Sequence, residues 1–225
     1  KAADTAGGSA KDAPAEGTPA QRTIWETVKH HFAVSACILQ KDARIGKIIG
    51  FYSVVFAAHT LLFFYSQQYF ADFGYNKVQI SVIMLLVGGA SCLGALVSEK
   101  MYRWFGKKCL IPETIIIAGA ILCYGAGKAD VAAAALMCAG FANAALYPIQ
   151  SDSLNALIPS EQRATLISVD SMCFSIAMIV LFPLAGAFAD RWGLKTVLLL
   201  LGVILLLFLL AAFCSEKESF SSDHS

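Results

Sequence analysis

The chain has 225 residues, of which 57% are hydrophobic and only 15% charged, with a formal net charge of +1. Soluble domains carry about 25% charged residues, so this composition leaves too little polar surface to cover a water-soluble core and points to lipid as the solvent. The near-neutral charge gives no electrostatic case for nucleic acid, and the seven Cys are scattered without a C-x-x-C pair or a His at metal spacing, which argues against a disulfide framework or a zinc site.

In chain order, residues 1–21 (KAADTAGGSAKDAPAEGTPAQ) mix Ala, Gly, Pro, Asp and Lys without an apolar h-region. Such a segment is neither a signal peptide nor able to bury enough surface to fold, so it reads as a disordered linker. Residues 22–43 place Trp25, Val28 and Phe32 at helical spacing, the pattern of an amphipathic helix at a membrane surface. A bilayer core of about 30 Å takes roughly 20 apolar residues of helix. Six stretches within residues 44–215 meet that length: Ile45–Phe70, Val78–Ser98, Cys109–Gly127, Val131–Gln150, Ala164–Ala189 and Thr196–Cys214, with a tail at 216–225. They are too long for strands, and connections such as FGYNK, EKMYRWFGKK and DRWGLK force antiparallel neighbours. Arg22, Lys29, Lys41, Arg44, Lys47, Lys100, Arg103, Lys107, Lys108, Arg163 and Lys217 fall on the side that holds both termini, against Lys77, Lys128, Arg191 and Lys195 on the other. By the positive-inside rule both termini are cytoplasmic.

The second and fifth spans end alike. GALVSEKMYRWFGKK supplies Gly94, Glu99, Arg103, Gly106 and Lys107; GAFADRWGLK supplies Gly186, Asp190, Arg191 and Gly193. If the six spans form two triplets, each motif closes the middle helix. An odd number of crossings then sets the triplets in opposite orientation, as in the inverted repeats of secondary transporters. Small residues such as Gly94 and Gly186 let a neighbouring helix approach closely, the acid can pair with a base or cap a helix, and the final Gly admits a left-handed turn. The expected result is a latch between helices.

On these residues the sequence resembles the major facilitator superfamily. PLAGAFADRWG, Pro183 to Gly193, is similar to that family's P-x-x-G-x-x-x-D-x-x-G. The earlier copy departs from G-x-x-x-D-R-x-G-R/K-R/K in having Glu99 for Asp and two extra residues, and IPSEQRATLIS, with Arg163, looks like the loop between the family's tenth and eleventh helices. The resemblance covers residues 20–215 and implies the C-terminal six-helix half of a twelve-helix carrier. The chain is then expected to be a fragment, or a half-unit that needs a second bundle.

Polar side chains inside a bilayer cost free energy and are the first functional suspects. Tyr52, Phe56, His59, Phe63, Ser66 and Gln67 fall in one helical stripe of the first span. An unperturbed His titrates near pH 6.5, which makes His59 the proton-coupling candidate beside a neutral, hydrogen-bonded reading. Asn143, Tyr147 and Gln150 share a face of the fourth span, interrupted by Pro148, and Ser171 and Ser175 share a face of the fifth. These eight residues, Tyr52, His59, Gln67, Asn143, Tyr147, Gln150, Ser171 and Ser175, form the substrate-binding set; the resemblance implies that the first and fourth helices line the cavity. Asp170 lies two turns from Arg163 and is read, with it, as gating or structural. Glu113, next to Pro112, suits a helix N-terminus.

The sequence thus predicts an all-α membrane protein of six transmembrane helices in two inverted three-helix repeats, preceded by a disordered linker and an amphipathic helix. It predicts a secondary active transporter of the plasma membrane, moving a small molecule by alternating access on a proton or other ion gradient. Its partners are the lipid bilayer, the solute and a second six-helix bundle, with no nucleic acid, cofactor or metal. An intramembrane enzyme is disfavoured because neither H-E-x-x-H nor G-x-S-x-G occurs; a non-transporting scaffold is the remaining alternative.

Overall fold

The computed structural model describes residues 43–106, 110–125, 127–157 and 163–222, with side chains from Ile45 to Ala211. The predicted linker, nearly all of the predicted amphipathic helix, and Lys107 lie outside the described residues. Among the described residues six helices follow in order: α1 (Ala43–Asp72), α2 (Lys77–Phe105), α3 (Leu110–Gly125), α4 (Ala129–Asn155), α5 (Arg163–Trp192) and α6 (Leu194–Ser222). All but α3 are long and apolar enough to cross a membrane.

Helix α3 is described over 16 residues, with Pro112 in its first turn; Cys109 and Ala126, which flank it, lie outside the described residues. Other boundaries extend past the expected spans. EKMYRWF, expected as a connection, continues α2, so Glu99 and Arg103 sit on its last turns; SDSLN likewise prolongs α4, and Asp190 and Arg191 end α5. Glu, Lys, Met and Arg are good helix formers, and leaving the apolar core gives a helix no reason to unwind.

The turns have local causes. Asn76 opens α2 with a reciprocal capping box, its side chain accepting from Gln79 N–H while the Gln79 side chain accepts from Asn76 N–H, each at 2.9 Å. The Tyr75 hydroxyl donates to Asp130 at the start of α4 across 3.1 Å, and that carboxylate holds the phenol above the usual tyrosine range. Gly193, at φ 82°, is the single residue between α5 and α6; its N–H caps the Ala189 carbonyl at 2.9 Å.

Packing follows the two triplets. Helix α2 lies chiefly on α4, α5 on α1, α3 pairs with α6, and α1 meets α4. Exchanging the triplets exchanges α2–α4 with α5–α1, as an inverted repeat requires, whereas the close packing of α3 on α4 has only a weak counterpart in α6 on α1. The core is built from Leu61 and Leu62 of α1, Ile117 and Ile121 of α3, Leu136 and Leu146 of α4 and Leu198 of α6, all fully buried. One end is closed by an aromatic cluster in which the rings of Tyr69 and Tyr124 lie 4.6 Å apart and the Tyr69 hydroxyl donates to the Tyr124 carbonyl at 3.0 Å. At the other, Ile45, Ile49, Leu154, Leu166 and Val169 join α1, α4 and α5.

The α2–α4 contact is a close one. A methyl group on Gly94 would overlap the Phe141 carbonyl, and one on Gly140 would come within 2.8 Å of Ser91 Oγ and 3.0 Å of Val87. The Ser98 hydroxyl bridges the same seam, donating to the Ala145 carbonyl at 3.0 Å. We therefore expect Gly94→Val to destabilise the bundle by about 1–3 kcal/mol, as overpacking does. Gly88→Val, where a Cβ meets nothing within 4 Å, is the control. Thermal unfolding in detergent micelles, with a lower midpoint for the first and an unchanged one for the second, checks this.

Candidate functional site

Two contiguous hollows share one face of the bundle. The first, about 310 Å³, is lined by Ser53, Phe56 and Thr60 of α1, Asn143 and Tyr147 of α4, and Asp170, Ser171, Phe174 and Ser175 of α5. The second, about 360 Å³, is lined by His59, Thr60 and Phe63 of α1, Met84, Val87, Gly88 and Ser91 of α2, and Asn143 of α4. Thr60 and Asn143 belong to both. The floor of this groove is therefore the α1–α4 seam, with α5 as one wall and α2 as the other. Exchanging the triplets exchanges the two hollows.

Helical periodicity puts these side chains there. Ser53, Phe56 and Thr60 follow an i, i+3, i+7 stripe, His59 and Phe63 an i, i+4 stripe beside it, and Asn143 and Tyr147 an i, i+4 pair on α4. The Phe56 and Tyr147 rings meet edge-to-face at 5.6 Å between centroids. Pro148 supplies no N–H to the carbonyl of Ala144, so α4 is interrupted next to the groove; Pro183 does the same in α5, where the Tyr65 hydroxyl donates to the neighbouring Phe182 carbonyl at 3.3 Å.

Of the predicted binding residues, the structure gathers His59, Asn143, Tyr147, Ser171 and Ser175 around the groove. Tyr52 is buried and Gln150 fully so, neither lining a hollow; Gln67 is exposed outside both. The stripe on α1 diverges at its far end because Ser66 turns into the core and donates to its own Phe63 carbonyl at 2.6 Å. Ser53, Thr60, Phe174, Met84, Val87, Gly88 and Ser91 were not singled out for binding from sequence. The Ser53–Phe56–Thr60 spacing is the signal that would have found the first two.

The groove's polar atoms are poorly paired. His59 Nε2, Ser53 Oγ and Asn143 Oδ1 are buried without a hydrogen-bond partner among the described residues, as are both amide atoms of Gln150 beneath the groove. Asp170 makes no ion pair with Arg163. Seven residues of helix separate the two by about 10.5 Å along the axis, and Arg163 is exposed. Away from the groove, Glu113 is buried on α3 with both carboxylate oxygens unpartnered.

The motif residues divide. Gly94 is sealed against Phe141, and a Cβ on Gly186 would come within 3.1 Å of Tyr65 Oη, so each middle-helix glycine faces the first helix of the other triplet. Gly106 and Gly193 take left-handed φ values of 58° and 82°. Glu99, Arg103, Asp190 and Arg191 are exposed, and none of them forms an ion pair among the described residues.

A comparison with protein families matches residues 114–223 to the Major Facilitator Superfamily. Over that stretch, just under half of its length, the chain is similar to members of this superfamily. The match covers α4 and α5, and with them one wall and half the floor of the groove. No curated protein and no solved structure matches the chain.

Buried positions make up 56% and 44% of the membrane-length windows of α1 and α4, but 17% and 6% of those of α2 and α5. The groove walls are therefore the least covered helices of the bundle. Polar groups facing hydrocarbon are costly, so the groove is expected to hold water or a partner rather than lipid. A Cys placed at Ser175 should react with a charged, water-soluble thiol reagent well above the wild-type background, to which exposed Cys92 and Cys138 contribute. A Cys at Ile204, 62% exposed on α6, should not. Equal labelling at both sites would contradict a wet groove.

Proposed function

We propose that this chain is one half of a secondary active transporter of the plasma membrane, moving a small solute by alternating access. The observation that supports this best is the polar groove on a bundle otherwise surfaced by Leu, Ile and Val, flanked by its two least buried helices. A second six-helix bundle laid over α2 and α5 encloses the groove between two halves, which is where carriers built of inverted repeats hold their cargo. In this reading the transmembrane bundle occupies residues 44–215, and the excess of Lys and Arg beside α1, α2 and α5 keeps both termini cytoplasmic.

Within the groove, Asn143, Tyr147, Ser171 and Ser175 contact the solute, with Tyr52 and Gln150 supporting them from beneath; Gln67 lies off the groove and has the weakest claim. His59 carries the coupled proton: its Nε2 has no partner inside the bundle, so the groove is where it exchanges one. Gly94 and Gly186 set the helix approaches. Glu99, Arg103, Asp190 and Arg191, which form no ion pair among the described residues, pair with the second bundle as it rocks, and Lys107 and Arg163 belong to the same gating set.

The test is flux into liposomes holding the chain together with its partner bundle. Gradient-dependent uptake supports a carrier, turnover without flux an intramembrane enzyme, and neither a scaffold. In a carrier, His59→Gln should leave the thermal midpoint unchanged while removing the pH dependence of uptake. A pH profile identical to wild type would remove His59 from the coupling step.

A further inference from the structure

The hollow on the α5 side has a definite chemical character. Asp170 is the one acidic side chain lining it, and among the described residues no Lys or Arg lines it. Two of its hydroxyls can only accept: Thr60 Oγ1 already donates its proton to the Phe56 carbonyl at 2.7 Å, and Ser175 Oγ to the Ser171 carbonyl at 2.8 Å. Asn143 contributes a buried, unpartnered Oδ1. Ser53, Ser171, Tyr147 and the Asn143 amide nitrogen can also donate, so the sign of the site is set by Asp170. A carboxylate with no basic residue beside it repels anions and is complemented by a cation that can donate hydrogen bonds to the acceptors around it.

The remaining walls decide which cation. Phe56, Tyr147 and Phe174 line the same hollow. Ring faces attract organic ammonium groups and offer nothing to the oxygen shell of a small metal ion. At about 310 Å³ the hollow far exceeds a bare ion, since a water molecule occupies about 30 Å³.

We propose that this hollow binds a protonated amine carrying an apolar or aromatic body, with Asp170 against the ammonium group, Asn143, Thr60 and Ser175 accepting its N–H bonds, and the three rings enclosing the body. This rests on the groove being the solute pathway and names the class of solute. It also gives Asp170 a role in recognition.

Equilibrium binding to the chain, held with its partner bundle in lipid nanodiscs, tests it with three probes of one shape: phenethylamine (cationic), phenethyl alcohol (neutral) and hydrocinnamate (anionic). The amine should bind at least about tenfold tighter than the alcohol, and the acid more weakly than either. Asp170→Asn should abolish the preference for the amine while alcohol binding stays, and Asp170→Glu should retain much of it. Equal binding of the three probes by the wild-type chain, displacement of the amine by sodium chloride at constant ionic strength, or a preference that survives Asp170→Asn would each overturn the assignment. The wild-type selectivity decides the question even where a variant fails to fold. Selective amine binding without gradient-driven uptake keeps this site and removes the transporter reading. Uptake of an anionic or sugar solute without amine selectivity does the reverse.

Discussion

The approach of α2 to α4 at Gly94 is the constraint from which much of the structure follows. With no side chain at that position, the α2 backbone meets the Phe141 carbonyl directly. In a membrane, where apolar side chains gain little by leaving lipid for protein, such close backbone packing and the hydrogen bonds it permits are what hold helices together. Once the helices are this near, Ser98 reaches the Ala145 carbonyl, and Val87 and Ser91 settle over Gly140. Those same α2 residues then form a wall of the hollow that contains His59. One missing side chain thus links a packing distance, an interhelical hydrogen bond and the shape of the groove.

The symmetry of the fold and the chemistry of the groove are separate matters. Triplet exchange relates the two hollows in position, through α1–α4–α5 on one side and α1–α4–α2 on the other. It does not relate their lining. One hollow has a carboxylate, three rings and hydroxyls committed as acceptors; the other has an imidazole, Met84 and Val87 against a single ring, Phe63. A duplicated scaffold supplies two places, and divergence of a few side chains on α2 and α5 makes them chemically different while the shared floor at Thr60 and Asn143 keeps them in communication.

How much of this was legible depends on which physical rule governed each feature. The spans were readable because a bilayer imposes a minimum apolar length on any crossing helix, and the orientation of the repeat because an odd number of crossings leaves no choice. Helix ends were not, since outside the hydrocarbon they are fixed by caps such as Asn76 and Gln79 and by helix-forming residues such as those of EKMYRWF. On α4 the pair Asn143 and Tyr147 was readable from spacing alone. On α1 the same reasoning holds through Phe63 and then misplaces Gln67, because a periodic stripe says nothing about where a helix passes from groove to core; only the packing that buries Ser66 fixes that. Ser53 and Thr60 give a weak sequence signal, because small hydroxyls in a membrane helix commonly bond their own backbone. Thr60 does so, and that bond leaves its lone pairs as acceptors in the groove.

The two walls are not held equally. Helix α2 is fastened by a glycine contact at each of two levels and by Ser98, whereas α5 meets α1 through Gly186 and Tyr65, the longer bond to the Phe182 carbonyl, and the apolar patch of Leu166 and Val169. Its membrane-length window is also the least buried of the five, and Pro183 weakens its internal ladder two turns above Ser175. Sparse packing and interrupted backbone bonding mark the parts of a protein that open at least cost. Between the two walls, α5 is therefore the one whose displacement costs least, and it carries Asp170. If the groove binds an amine as proposed, a cation drawn to Asp170 would pull α5 toward the acceptors on α1 and α4, and its departure would release the wall again.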